Sequence, residues 1–318
     1  METLVKYIFP NGMLSAKDVT GNLPKGCRLP VSYARASLCQ LPEGGMLIQH
    51  YTHLLFNIEV LEFNLDRDLK AEYELNFPSV FLFCMLQGAI KFYTIEGKPI
   101  YEAIGDICYG TFNQVARYRY ALGPGIHRVF FMIPNTELIH SHPDEYPELL
   151  ELLNNMKKGF DRYGHMPECP LTGRIFQLML SLLTYRPQAG EDIEIKLLEK
   201  GKALLLEYHR MVSLMQSQPA YRVKYYLDRN YRDSKLSNDS IAREFKISKR
   251  SLTRLFKATF RIGPYAYLID TRLEAAKRLL SEQKLPVNQV YKAVGYKDLR
   301  SFRGQFKEKF GISPSQCY

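Results

Sequence analysis

The phrase FKATFRIGP at residues 256–264 returns as FKEKFGISP at 306–314. Its aromatic spacing, its lysine and its closing proline repeat at an offset of fifty residues. Such a repeat constrains the last hundred residues to two copies of one helical unit. In the first copy, SNDSIAREF can start a helix with Ser237 or Asn238 as N-cap and Ile241, Ala242 and Phe245 on one face. Lys246-Ile247 makes a tight break, and Ser248 caps SKRSLTRLFKATF. A short helix, a turn of three or four residues and a second helix is a helix-turn-helix arrangement. The spacing buries Leu252, Leu255, Phe256 and Phe260, and leaves Lys249, Arg250, Thr253, Arg254 and Lys257 on the opposite side.

In the second copy, VNQVYKAVGY ends at Gly295, where a left-handed residue is easily placed. Asp298 caps DLRSFRGQFKEKF, which buries Phe302, Phe306 and Phe310 and exposes Arg300, Arg303 and Lys307, with Lys297 just before it. Between the copies, PYAYLIDTRLEAAKRLL makes one amphipathic helix with Pro264 in its first turn.

Charge follows the same division. Residues 219–318 hold 22 lysines and arginines against 9 acids, a net of +13, while residues 1–218 carry −3. A basic module of this size suggests a polyanion as partner; a solvated basic surface is the plainer alternative. Gln216-Ser217-Gln218-Pro219 reads as a short linker at the change of charge.

The first 218 residues have a different texture. Residues 1–40 read as irregular, punctuated by Gly and Pro. From 46 to 134, short runs rich in Phe, Tyr, Ile and Val alternate with turns such as Glu96-Gly97-Lys98-Pro99 and Ile104-Gly105-Asp106, the pattern of a sandwich or small barrel. After Pro143 the residues at 148–159, 171–184 and 193–215 read as helices. In the last, Ile193, Leu197, Gly201, Leu204, Tyr208, Met211 and Met215 form a stripe that needs a partner, either the barrel or a second copy of itself. No stretch reaches the ~18 uninterrupted apolar residues of a membrane span. The acidic, Pro- and Gly-broken N-terminus does not read as a signal peptide. Six scattered cysteines without a CxxC suggest reduced thiols, so a cytoplasmic protein is expected.

The ordered pieces IAREFKISKRSLTRLFK, GPYAYLIDTRLEAAKRLL and VYKAVGYKDLRSFRGQFKEKFGISP resemble the C-terminal module of the AraC/XylS family of bacterial transcription regulators, over about residues 219–318. The resemblance implies a mostly-β, cupin-like N-terminal barrel for a small-molecule effector over 1–142, a helical and dimerising segment over 143–215, and an all-α DNA-binding domain over 219–318. It implies double-stranded DNA as partner, a homodimer, activation through RNA polymerase, and neither cofactor nor catalysis. The residues at its base-reading positions are Arg250, Thr253, Arg254, Leu299, Arg300 and Arg303. Lys249, Lys257, Lys297 and Lys307 are cast as phosphate contacts. Arg254 has an alternative role, pairing with Glu244. Three departures stand out: Gly304 in place of the usual Arg, Arg261 in place of the usual Gly, and an end, SPSQCY, without the usual basic residue.

For the effector, Phe83, Tyr93, Tyr101, Tyr109, His127 and Phe130 are candidate pocket residues, with plain core packing as the alternative for each. Two other functions stay open. One is a metal-dependent enzyme: His140-Ser141-His142 would put two imidazoles on one face of a strand, with Asp144 or Glu145 to complete a site, although Pro143 follows at once and His50 and His53 do not align on a strand. The other is a regulator that senses nothing, its barrel binding only a protein partner.

Overall fold

The computed structural model describes residues 4–159, 161–188, 190–281 and 285–317. The chain forms two compact units, Met1–Ser213 and Leu214–Tyr318. The first begins with twelve strands: β1 (Val5–Ile8), β2 (Ser15–Asp18), β3 (Arg35–Leu41), β4 (Gly44–Thr52), β5 (Phe56–Leu65), β6 (Leu69–Leu75), β7 (Ser79–Gln87), β8 (Ala89–Thr94), β9 (Pro99–Ile104), β10 (Ile107–Asn113), β11 (Arg117–Leu122) and β12 (Gly125–Pro134). Helices α1 (Thr136–His140) and α2 (Pro147–Lys158), short strands β13 (Tyr163–His165) and β14 (Cys169–Pro170), and helices α3 (Gly173–Leu183) and α4 (Ile193–Ser217) follow.

The strands make two antiparallel sheets. The small one runs β1-β6-β11-β8-β9; the large one runs β13-β10-β7-β12-β5-β4-β3-β2, with β14 also on β10. Residues 1–40, expected to be irregular, contribute β1 on the edge of one sheet and β2 on the edge of the other. Both are four-residue edge strands between Gly and Pro, too short to announce themselves by alternation. Side chains alternate across each sheet. Leu61 and Phe63 of β5, Phe81 and Phe83 of β7 and Phe131 of β12 meet Ala71, Ile90, Tyr118 and Tyr120 of the small sheet in one core.

The opposite face of the large sheet is covered by helix. Gly201 of α4 lies against Phe56, so close that a Cβ there would sit 2.9 Å from the ring. The Tyr208 hydroxyl accepts the Gly110 N–H of β10 at 2.6 Å. The α4 stripe that is fully buried is Leu197, Gly201, Leu204, Leu205, Tyr208 and Val212; Ile193, Met211 and Met215 are only half-buried. The centre of the stripe is therefore part of the first unit's own packing.

The second unit is helical: α5 (Pro219–Asn230), α6 (Asn238–Glu244), α7 (Lys249–Phe260), α8 (Pro264–Ser281), α9 (Val287–Ala293) and α10 (Leu299–Phe310), closed by a 3-10 turn at Pro314–Gln316. The expected linker at 216–219 shrinks to a single residue. Helix α4 runs to Ser217, and only Gln218, in extended backbone, separates it from α5. Pro219 starts α5 because its missing N–H has no partner to make in a first turn.

Candidate nucleic-acid interface and barrel cavity

Helices α6 and α7 form one helix-turn-helix, α9 and α10 the other. Both first helices end in the same Schellman turn. Lys246 and Gly295 take left-handed backbone, with φ of 53° and 86°. Lys246 N–H bonds Arg243 O at 3.1 Å and Ile247 N–H bonds Ala242 O at 3.0 Å. Gly295 N–H to Lys292 O and Tyr296 N–H to Tyr291 O repeat this at 3.1 and 2.9 Å. The second helices are capped alike, Ser248 and Asp298 accepting from the N–H of Ser251 and Ser301. Thus α7 and α10 stand at an offset of fifty, whereas α6 and α9 stand at forty-nine. The second turn is one residue longer and holds Lys297.

Each second helix buries an aromatic stripe and exposes a basic one. Leu252 and Phe256 of α7, and Phe302 and Phe306 of α10, are fully buried. Arg250, Arg254 and Lys257 on α7, and Arg300, Arg303 and Lys307 on α10, are exposed without an ion pair among the described residues. They recur at steps of three and four and so share one face of each helix. Among the described residues no ion pair joins Arg254 to Glu244, so Arg254 stays with the basic stripe. Lys249 pairs with Asp239, and Lys297 is exposed. Thr253 is half-buried; Leu299 is half-buried and packs on the core of the second unit. Gly304 is exposed with open space about it.

The α5–α6 turn joins the two helix-turn-helix units. Tyr231 packs on both cores. Arg272 of α8, only 3% exposed, donates from Nε to Tyr231 O and from Nη2 to Asp233 O, each at 2.7 Å. Its guanidinium lies 5.8 Å from the Tyr296 ring centroid, and burial draws its pKa down. Gly295 presses on the same turn from the other side: a Cβ there would lie 2.6 Å from Tyr231 O and 2.8 Å from Arg232 O. Two carbonyls, one buried arginine and one glycine thus hold the spacing of α7 and α10. Sequence reading missed Arg272, because nothing in its neighbourhood separates it from an exposed helical arginine.

Arg261 and Gly311 end α7 and α10 in left-handed backbone, with φ of 60° and 72°. An L-residue there loses about 1–2 kcal/mol, part of which glycine gives back through its freer unfolded chain. Arg261→Gly is expected to stabilise the second unit by about 0.5–1 kcal/mol. A denaturant midpoint that falls instead would mean that the Arg261 side chain holds the helix end.

In the first unit a cavity of about 80 Å³ opens between the sheets. Of the expected pocket residues, Phe83, Tyr101 and Tyr109 line it. Tyr93, His127 and Phe130 do not. Phe130 pairs in register with Cys84, on the face of β12 opposite Val129 and Phe131, which are the lining residues. Tyr93 likewise alternates away from Ile90 and Phe92. His127 is a structural group: its Nδ1 accepts the Ala89 N–H at 3.2 Å, and Nε2 donates to Gly123 O at 2.8 Å. Tyr7, Phe63, Tyr73, Phe81 and Tyr120 are lining residues that sequence reading missed. Strand register, invisible in one sequence, decides which of two adjacent aromatics points inward.

The strand expected at His140-Ser141-His142 is a helix end. His140 is the last residue of α1 and Ser141 its C-cap. His140 Nε2 meets Lys157 Nζ at 2.6 Å; His142 bonds Leu138 O through Nδ1 at 3.1 Å and faces Lys202 Nζ at 3.4 Å. Asn135, which caps α1, turns the chain out of β12 before the histidines are reached. His53 is also engaged, accepting from Leu55 N–H and meeting Glu194 O and its carboxylate at 2.9 and 3.1 Å. Among the described residues no group of three or more His, Cys, Asp or Glu is arranged to hold a metal ion.

A helix-turn-helix domain family profile matches residues 241–317. The HTH-type transcriptional regulator YijO of Escherichia coli (strain K12) is 37% identical over 154 residues, covering 46% of this chain and 52% of that protein. The arabinose operon regulatory protein of the same organism is 32% identical over 91 residues, 29% of this chain and 31% of that protein. Matches to the first three curated relatives span between 52% and 60% of their lengths. Among solved structures, the C-terminal domain of AraT, a response regulator from Geobacillus stearothermophilus, is 30% identical over 31% of this chain and 84% of that one, with a TM-score of 0.31. The chain thus carries an AraC-type helix-turn-helix domain at its C-terminus, and the curated proteins that match it there are transcription regulators.

Proposed function

We propose that the chain is an effector-responsive, sequence-specific DNA-binding regulator of transcription. The observation that carries this reading is the duplicated helix-turn-helix, whose second helices each present a row of exposed cations without an ion pair among the described residues. In this reading α7 and α10 enter successive major-groove segments about 34 Å apart, one duplex turn. Arg250, Thr253 and Arg254 read bases from α7; Arg300 and Arg303 do so from α10, with Leu299 at its edge. An arginine grips guanine O6 and N7 with two hydrogen bonds, each such pair contributing about 1–3 kcal/mol of discrimination. Lys249, Lys257, Lys297 and Lys307 hold phosphates, and Lys249 exchanges Asp239 for one.

Residues 1–142 act as the effector barrel, 143–215 as the helical segment through which two copies pair, and 219–318 as the DNA-binding domain. Effector binding shifts the population competent to bind DNA. Activation through RNA polymerase and a cytoplasmic location complete the proposal. In its support, no helix among the described residues is long and apolar enough to cross a membrane.

Selection of bound duplexes from a random pool by the full chain, at fixed salt, tests the paired reading. Two enriched clusters centred about 10 base pairs apart are expected; a single cluster would remove α10 from base reading. Arg250→Ala and Arg300→Ala should relax specificity each at its own cluster. Lys257→Ala should weaken binding to all sequences and reduce the salt slope by about one. If all three acted equally on every sequence, the base-reading assignments would be wrong.

A further inference from the structure

The barrel cavity carries its own chemical signature. Its lining residues include no Lys, Arg, Asp or Glu. Phenylalanines and tyrosines dominate the wall, with Thr111, Asn113 and His165 among its polar members. The Thr111 hydroxyl is already committed, donating to Gly164 O at 2.8 Å. Two carboxyls meet the hydroxyls of lining residues from outside the wall: exposed Glu168 accepts from Tyr101, and Glu59, only 3% exposed, accepts the Tyr7 hydroxyl at 2.7 Å. Burial pushes the Glu59 carboxyl up to about 8, so it is held neutral at neutral pH. The cavity wall itself therefore presents no charged side chain to a ligand.

One polar atom of the wall is both fully buried and without a partner among the described residues. Tyr120 lines the cavity, is 3% exposed, and its hydroxyl has no hydrogen-bond partner among the described residues. A buried hydroxyl without a partner is unfavourable, and a ligand atom that bonds it recovers that loss. Tyr73 lies beside it, with ring centroids 6.4 Å apart, and the Tyr109 ring lies tilted at 5.3 Å from Phe83. The cavity measures about 80 Å³. At roughly 10–15 Å³ for each water-sized group, it accommodates on the order of six of them.

We infer that the barrel takes a compact, uncharged, aromatic or similarly flat apolar molecule bearing one hydrogen-bonding group, which meets the Tyr120 hydroxyl. This rests on the reading of the barrel as an effector site. An anion would lose its hydration with no cation in the wall to replace it, and a sugar would bring more hydroxyls than the wall has free partners.

The test uses the full chain and four probes: phenol, toluene, benzoate and arabinose, each at millimolar concentration, by thermal melting and titration calorimetry. Phenol is expected to raise the melting temperature by a few degrees and toluene by less, while benzoate and arabinose leave it unchanged. Tyr120→Phe, which removes only an oxygen without a partner, should keep or raise the wild-type melting temperature. It should weaken phenol about tenfold and leave toluene alone. A shift from benzoate or arabinose, with none from phenol or toluene, overturns the ligand class and leaves the effector reading standing. No shift from any of the four overturns both. Equal weakening of phenol and toluene by Tyr120→Phe overturns the assigned role of Tyr120.

Discussion

Gly295→Ala is expected to destabilise the second unit by about 2–5 kcal/mol and to uncouple its two helix-turn-helix units. Two separate losses add. The left-handed backbone at φ 86° disfavours any L-residue by about 1–2 kcal/mol. The new methyl would also sit 2.6 and 2.8 Å from two backbone oxygens, and overpacking of this kind costs about 1–3 kcal/mol. Neither oxygen can yield cheaply. The α5–α6 turn that carries them is held by the two hydrogen bonds from Arg272. The relief open to the chain is to move α9, and α10 with it, away from the turn. Binding to a two-cluster DNA site should then fall towards the level of a one-cluster site, and the melting transition of this unit should drop by at least about 10 °C. Lys246→Gly is the matching control. It occupies the same Schellman position in the first unit, is exposed, and should be neutral or slightly stabilising. If Gly295→Ala kept wild-type melting and full two-cluster binding, the turn would not set the spacing of α7 and α10.

The same region shows what one sequence can and cannot disclose. The bounds of α7 and α10 were legible, because Ser248 and Asp298 are local caps and the Phe spacing is a helical period. Gly295 was legible as a helix end. Its contact with carbonyls more than sixty residues earlier was not, since no local pattern encodes it. A uniform offset of fifty described the second helices and missed the forty-nine of the first, so the extra turn residue at Lys297 came only from the fold. In the barrel, the aromatic runs disclosed that strands were present, and Phe83, Tyr101 and Tyr109 fell on the inner side. Phe130 and Phe131 are equivalent in composition; register with Cys84 and Phe83 separates them. The histidines at 140 and 142 were misplaced for a related reason. Period-two reasoning holds only while the strand lasts, and Asn135 ends it.

Glu59→Gln should make the first unit more stable than the wild type at pH 8, and the difference should vanish as the pH falls. Burial raises the Glu59 carboxyl to about 8, against the Tyr7 hydrogen bond, which lowers it; the ordinary value is 4.5. Between these values the folded chain keeps a proton that the unfolded chain has released. Stability therefore declines as pH rises through this range and levels off above about 8. Each pH unit is worth up to about 1.4 kcal/mol, so the wild type should lose on the order of 2 kcal/mol between pH 6.5 and 8. His50, the cross-strand partner of Glu59, is held below its ordinary 6.5 by burial and then by Arg35, so its own contribution to the pH dependence has the opposite sign. Glutamine keeps an acceptor for the Tyr7 hydroxyl and has no proton to lose, so its stability should be flat where the wild type slopes. Denaturant midpoints of both proteins from pH 6 to 8.5 would show it. A flat wild-type profile, with no gain from glutamine at pH 8, would mean that Glu59 is ionised in the fold. A neutral cavity would then have a negative charge behind its wall, and cationic ligands would have to join the uncharged ones as candidates.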